Sequence, residues 1–119
     1  MSSGLIALIL LGLFFLVLFP KLRGHNSAFR ITGAQAREKV EKGATLIDVR
    51  TPQEFSQTHL KGAKNIPLQE LSTRLKELPK GELILYCRSG MRSQKALQIL
   101  HKEGLEESYD LGPLSAWNK

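Results

Sequence analysis

Hydrophobic and polar positions divide the chain into two unequal parts. Gly4 to Phe19 is an unbroken apolar run, and no charged side chain occurs before Lys21. Beyond it, short apolar runs alternate with charged, periodic stretches. Thr32 can cap a helix over about Ala34 to Glu41, stopped by Gly43. Thr45-Leu46-Ile47-Asp48-Val49 is compact and largely apolar between turn signals, which predicts a buried strand. Thr51-Pro52-Gln53-Glu54 supplies a cap, a proline at the first helical position and an acid in the first turn, so a short helix should start there. Ala63 to Pro67 predicts a short strand, and Leu68 to Leu78 a helix with Leu71, Leu75 and Leu78 on one face. Glu82-Leu83-Ile84-Leu85-Tyr86 is the clearest strand, and Met91 to Lys102 a helix with Ala96, Leu97 and Leu100 inward. Ser108 to Leu111 reads as a last strand, and Pro113 to Asn118 as a terminal helical turn. This alternation predicts an α/β domain with a mainly parallel central sheet of about five strands, flanked by helices.

The apolar block precedes that domain. As a helix, 20 residues span about 30 Å, the thickness of a hydrocarbon core, while the strictly apolar part spans roughly 24 Å. A transmembrane anchor over residues 1–20 is the expectation, with a polar linker over 21–28 and the domain over 29–119. A cleaved signal peptide is the rival, but the start carries no Lys or Arg and no A-x-A-like cut site follows. A core helix fits less well, since the run is apolar on every side. Lys21, Arg23, Arg30, Arg37 and Lys39 all follow the segment and none precedes it, which places the domain on the cytoplasmic side.

Charge and cysteine count narrow the chemistry. The net charge of +6 raises the question of nucleic acid. Basic residues are interleaved with acidic ones, as in Arg37-Glu38-Lys39-Val40-Glu41-Lys42, which describes solvated helix faces and no phosphate-binding stripe. A single cysteine, Cys87, excludes an internal disulfide. His25, His59 and His101 are too scattered for a structural zinc site, and nothing calls for a cofactor.

Cys87 itself falls where a strand runs into a helix, the place at which open α/β sheets bind ligands. Cys87-Arg88-Ser89-Gly90-Met91-Arg92-Ser93 can curl into a nest of inward-pointing N–H groups, with Gly90 permitting the turn and the next helix adding its positive end. With Arg88 and Arg92 this favours thiolate over thiol, and the same cradle suits a small oxyanion. A lone cysteine is ordinarily core filling. Flanking arginines and an intervening glycine have no place in that account. Asp48 reads as a satisfied structural carboxylate, Arg50 and Glu54 as an ion pair across a helix start, and His59 as a hydrogen-bonded scaffold residue.

These residues resemble the rhodanese family from about Phe29 to Trp117. Leu46 to Arg50 with Glu54-Phe55, and His59 to Pro67, resemble its first signature. Leu83 to Ser93 resembles its active-site loop, and Gly112 with Ala116-Trp117 its closing motif. The resemblance implies a rhodanese-like fold in which Cys87 is catalytic. It would accept a sulfane sulfur from thiosulfate or a persulfide donor and pass it to cyanide, a small thiol, or a thioredoxin-like or other sulfur-accepting protein. Arg88, Ser89, Gly90, Met91 and Arg92 would form the substrate-binding loop. The basic loop resembles that of thiosulfate-using members. Thr58 and Pro113 stand where the family often has glycine, so local turns there are expected to differ. Two other functions stay in view. A cysteine phosphatase needs arginine at the sixth position after cysteine, where this chain has Ser93, and arsenate reduction lacks a partner thiol. A non-catalytic, membrane-attached binding module would keep the fold but commonly lacks the cysteine.

Overall fold

The computed structural model describes residues 28–119. The expected anchor over 1–20 and nearly all of the 21–28 linker lie outside the described residues. Among the described residues no helix is long and apolar enough to cross a membrane.

The first helix, α1 (Gly33–Glu41), begins where the sequence supplies a complete cap. The Thr32 hydroxyl accepts from the Gln35 amide at 3.1 Å while the Gln35 side chain accepts from the Thr32 amide at 2.8 Å. Gly33 is required by close approach, since a Cβ there would run into the Ala116 carbonyl oxygen. Strand β1 (Thr45–Asp48) leads to α2 (Pro52–Gln57), whose cap repeats the same device with Thr51 and Glu54. Then follow β2 (Lys64–Asn65), α3 (Leu68–Leu71), a 3-10 turn (Leu75–Glu77), β3 (Leu83–Cys87), α4 (Met91–Lys102), β4 (Ser108–Pro113) and a closing 3-10 turn (Leu114–Asn118).

All strands pair in parallel, in the order β2-β1-β3-β4. The described sheet therefore has four strands, against an expectation of about five. Beyond β4 the chain makes only a single parallel bridge, Arg30 beside Asp110, because Thr32 turns it into α1 two residues later. One further expectation fails. The helix proposed for Leu68 to Leu78 stops after one turn, resumes as a 3-10 turn and is bridged by Ser72 and Thr73. The Thr73 hydroxyl donates to the Glu70 carbonyl at 2.9 Å, the local competition with helix bonding that disfavours Ser and Thr in helix interiors. Leu71, Leu75 and Leu78 nevertheless all pack on the core, so the apolar pattern survives where the regular helix does not.

Alternation along the strands sorts side chains to two faces. Ile47, Val49, Leu83, Leu85 and Cys87 join Ala96, Leu97 and Leu100 of α4, with Leu71 of α3. Leu46, Ile84, Tyr86 and Leu111 join Ile31 and Ala36, covered by α1 and the C-terminal turn. Parallel strands buried on both faces explain why β1 and β3 read as near-continuous apolar runs. Cys87 faces α4 by the same parity that sends Leu83 and Leu85 there.

Leu100 is fully buried where α4 meets the sheet. Replacing it with Ala should cost about 2–5 kcal/mol, through lost transfer energy and a residual cavity. Urea unfolding of the variant checks this; a loss below about 1 kcal/mol would contradict the packing described.

Candidate functional site

β1, β3 and β4 all end at one edge of the sheet, so that Asp48, Cys87 and Pro113 come into register near one another. Asp48 pairs with Tyr86, and Cys87 with Pro113. The loop from Cys87 to the start of α4 rises above this edge. Gly90 sits at φ +99°, a left-handed conformation that other residues rarely adopt, and its turn brings the loop back over the sulfur.

The Cys87 sulfur is buried at the floor of this loop. The Gly90 amide donates to Sγ at 3.0 Å and the Ser93 amide at 3.4 Å. The thiol itself donates to Ser93 Oγ at 3.6 Å, and the Ser93 hydroxyl donates to the Gly90 carbonyl at 3.2 Å. Gly90 is the N-cap residue of α4 and offers no side chain for capping. The sulfur takes that part, accepting a first-turn N–H that would otherwise be orphaned. The arrangement can hold negative charge, since two donors and the positive end of a 12-residue helix converge on one atom.

Below Ser93, the buried Asp110 carboxylate accepts from the Gly112 amide at 2.8 Å. Burial pushes its acidity towards the neutral form, opposed by the Ser93 side chain and Arg30.

Each residue expected at the site has a definite place. Arg88 and Ser89 are exposed, and among the described residues the Arg88 guanidinium pairs with no carboxylate. Met91 is 69% exposed on the rim, the one large exposed hydrophobic among the described residues. Arg92 is turned to Glu54, with Nη1 to Oε1 at 2.6 Å and Nη2 to Oε2 at 3.0 Å. This overturns the expected Arg50–Glu54 pair. Arg50 instead closes on Asp48, donating from Nη2 at 2.7 Å and from Nε at 3.0 Å, and it also donates to the Thr58 carbonyl at 2.6 Å. Two residues apart at a strand end, Asp48 and Arg50 can meet directly, and Asp48 is the satisfied structural carboxylate expected. His59 stacks on Phe55, ring centroids 3.8 Å apart, with Nδ1 2.8 Å from the Phe55 carbonyl, in the scaffold part expected of it. Thr58 is extended at φ −163°, a conformation any residue adopts, so the family's usual glycine is not needed there.

A cleft of about 380 Å³ opens beside the loop, its lining including Arg50, Glu54, Thr58, Arg88, Leu114 and Ser115. Its walls are the residues that follow β1, β3 and β4. Sequence reasoning placed Ser93 in the nest of N–H groups without giving its hydroxyl a part, and it missed one pairing. Ser93 carried a signal, its first-turn position in the helix after Cys87. The Glu54–Arg92 pair carried none, because 38 residues separate its partners.

The comparisons agree with this geometry. The family model described as "Rhodanese-like domain" matches residues 32–119. The chain is 36% identical over 120 residues to an uncharacterized protein, YqhL, of Bacillus subtilis, covering 97% of this chain and 93% of that protein. It is 37% identical over 71 residues to the thiosulfate sulfurtransferase PspE of Escherichia coli, covering 57% of this chain and 68% of PspE. A solved rhodanese with anions from E. coli superposes with a TM-score of 0.58 at 34% identity, covering 62% of this chain and 91% of that one.

Arg92 holds the Glu54 carboxyl down at about 2, against an ordinary 4.5. Because the folded value lies below the unfolded one, this pair stabilises the fold above about pH 5 and loses that contribution as pH falls towards 2. Melting temperatures of the protein and of Glu54→Gln should therefore differ most at neutral pH and converge between about pH 5 and pH 2. A gap that stays constant across that range would show that the ion pair contributes nothing to stability.

Proposed function

The chain belongs to the rhodanese family and is a sulfur-transferring enzyme of that family's kind; from that premise we propose that Cys87 carries the sulfur as a persulfide. The observation that supports this reading is the convergence of the Gly90 and Ser93 amides on a single buried sulfur at a helix N-terminus. Those donors stabilise the anionic nucleophile before transfer and the anionic persulfide after it, so both resting forms fit one cradle.

In the first half-reaction the Cys87 thiolate attacks the sulfane sulfur of thiosulfate. A sulfur–sulfur bond forms to Cys87, the donor's sulfur–sulfur bond breaks, and sulfite departs with the electron pair. In the second, an acceptor thiolate or cyanide attacks the outer sulfur and the Cys87 thiolate leaves. Two anions enter and two leave at each stage, with no proton transfer required, so His59 and the carboxylates need not act as bases. Arg88, exposed on the cleft wall, meets the anionic donor, while Ser89, Gly90 and Met91 shape the loop around it. A persulfide-bearing molecule can take the donor's place by the same displacement. Acceptors include a small thiol and a thioredoxin-like protein. The uncharged segment over residues 1–20 would hold the domain at the cytoplasmic face of a membrane, on the strength of the basic residues that follow it.

Full-length protein treated with thiosulfate should gain about 32 Da at Cys87, lost again with cyanide or dithiothreitol. Cys87→Ser should gain nothing and transfer nothing. A folded wild-type protein that forms no adduct would instead favour a binding module. Arg88→Ala should raise KM for thiosulfate about tenfold or more with little change in melting temperature, because it removes a charged partner and no core contact; an unchanged KM would remove Arg88 from donor binding.

A further inference from the structure

Three arginines gather at the mouth of the loop, and the structure commits two of them internally. Arg50 is closed on buried Asp48 and Arg92 on Glu54, while Arg88 pairs with no carboxylate among the described residues. Three guanidinium groups and two carboxylates thus leave the mouth a net charge of one. Glu54 matters most in that balance, because it lines the cleft with Arg88 and Arg50 and its side chain stays partly exposed, while Asp48 is fully buried.

We propose that Glu54 is a specificity-determining residue that sets the charge of the sulfur donor, favouring singly charged sulfane donors over doubly charged ones. The physical argument is one of paired and unpaired charge. A dianion entering the cleft meets one free guanidinium and one carboxylate. Its second negative charge finds no uncommitted partner, and drawing Arg92 away would expose Glu54 to that same dianion. A monoanion is matched by Arg88 alone. The Thr51 amide and hydroxyl hold Glu54 in place at 3.2 and 3.1 Å, so the carboxylate cannot simply swing aside when a donor arrives.

This inference rests on the reading of Cys87 as a sulfur carrier, and a matched pair of donors separates the two. Thiosulfate is a dianion. Methanethiosulfonate presents the same sulfane sulfur as a monoanion, with methyl in place of one anionic oxygen and methanesulfinate as the leaving group. Initial rates with cyanide as acceptor give kcat/KM for each donor, in wild type and in Glu54→Gln. The glutamine keeps the shape and the Thr51 contacts but removes the charge. The ratio of thiosulfate to methanethiosulfonate efficiency should rise roughly five- to tenfold in the variant, carried by a lower KM for thiosulfate. A merely structural Glu54 would change both donors alike, and an unchanged or lower ratio overturns the proposal. The mass gain at Cys87 with either donor tests the carrier separately: an adduct with no change in ratio removes Glu54's part alone, and no adduct with either donor removes the carrier reading and this one with it.

Discussion

The site depends on one sulfur acting as a helix cap. Cys87 ends β3, Gly90 turns the chain at φ +99°, and α4 begins with its Ser93 amide directed at the sulfur. An N-cap ordinarily supplies an oxygen from Ser, Thr, Asp or Asn, as Thr32 and Thr51 do for α1 and α2. At α4 that place is held by glycine, and the thiol three residues upstream accepts the N–H bonds. Structural and chemical demands thereby fall on the same atom. Donors that complete the helix terminus are also the ones that stabilise a sulfur anion.

Burial of that sulfur follows from strand parity. Leu83, Leu85 and Cys87 share the sheet face under α4, and Cys87 is as enclosed as its neighbours. A buried cysteine in apolar surroundings alone would be inert. Here the apolar contacts come from below and the side, and the polar donors from the loop above. The low dielectric strengthens those hydrogen bonds for the same reason that it would penalise an unpartnered charge. Arg88 and the cleft lie at the edge of that loop.

Around the mouth, two ion pairs fix the geometry that the loop needs. Asp48–Arg50 is buried and reaches across to the Thr58 carbonyl, anchoring the end of α2 to β1. Glu54–Arg92 then ties α2 to the first turn of α4. Glu54 is at once the capping-box acid of α2 and the partner of the loop arginine, so the cap sequence Thr51-Pro52-Gln53-Glu54 has a part in the site as well as in its own helix. Arginine suits both pairs because its planar fork matches a carboxylate with two parallel bonds.

Much of this was legible in the chain, and the division follows the range of the interactions. Helix starts at Thr32 and Thr51, the strand leading up to Cys87, the helix from Met91 to Lys102 and the turn at Gly90 rest on caps, alternation and backbone preference within a few residues, which a linear reading can see. It could also see that Cys87, Arg88, Gly90 and Arg92 form a basic loop around a thiol. It could not see that Arg92 pairs with Glu54, nor that Arg50 prefers Asp48. That choice was made when β1 and β3 paired and carried α2 to the mouth of the loop. The interruption at Ser72-Thr73 and the count of four strands, with one isolated bridge at Arg30, belong to the same class, since leucine spacing and apolar runs do not reveal where backbone groups find their partners. Sequence by itself determined the lone thiol, the loop around it and the parallel sheet that presents them. Only the tertiary structure decided which positive charges remain free to meet a substrate, because charges are paired by distance in space and not by spacing along the chain.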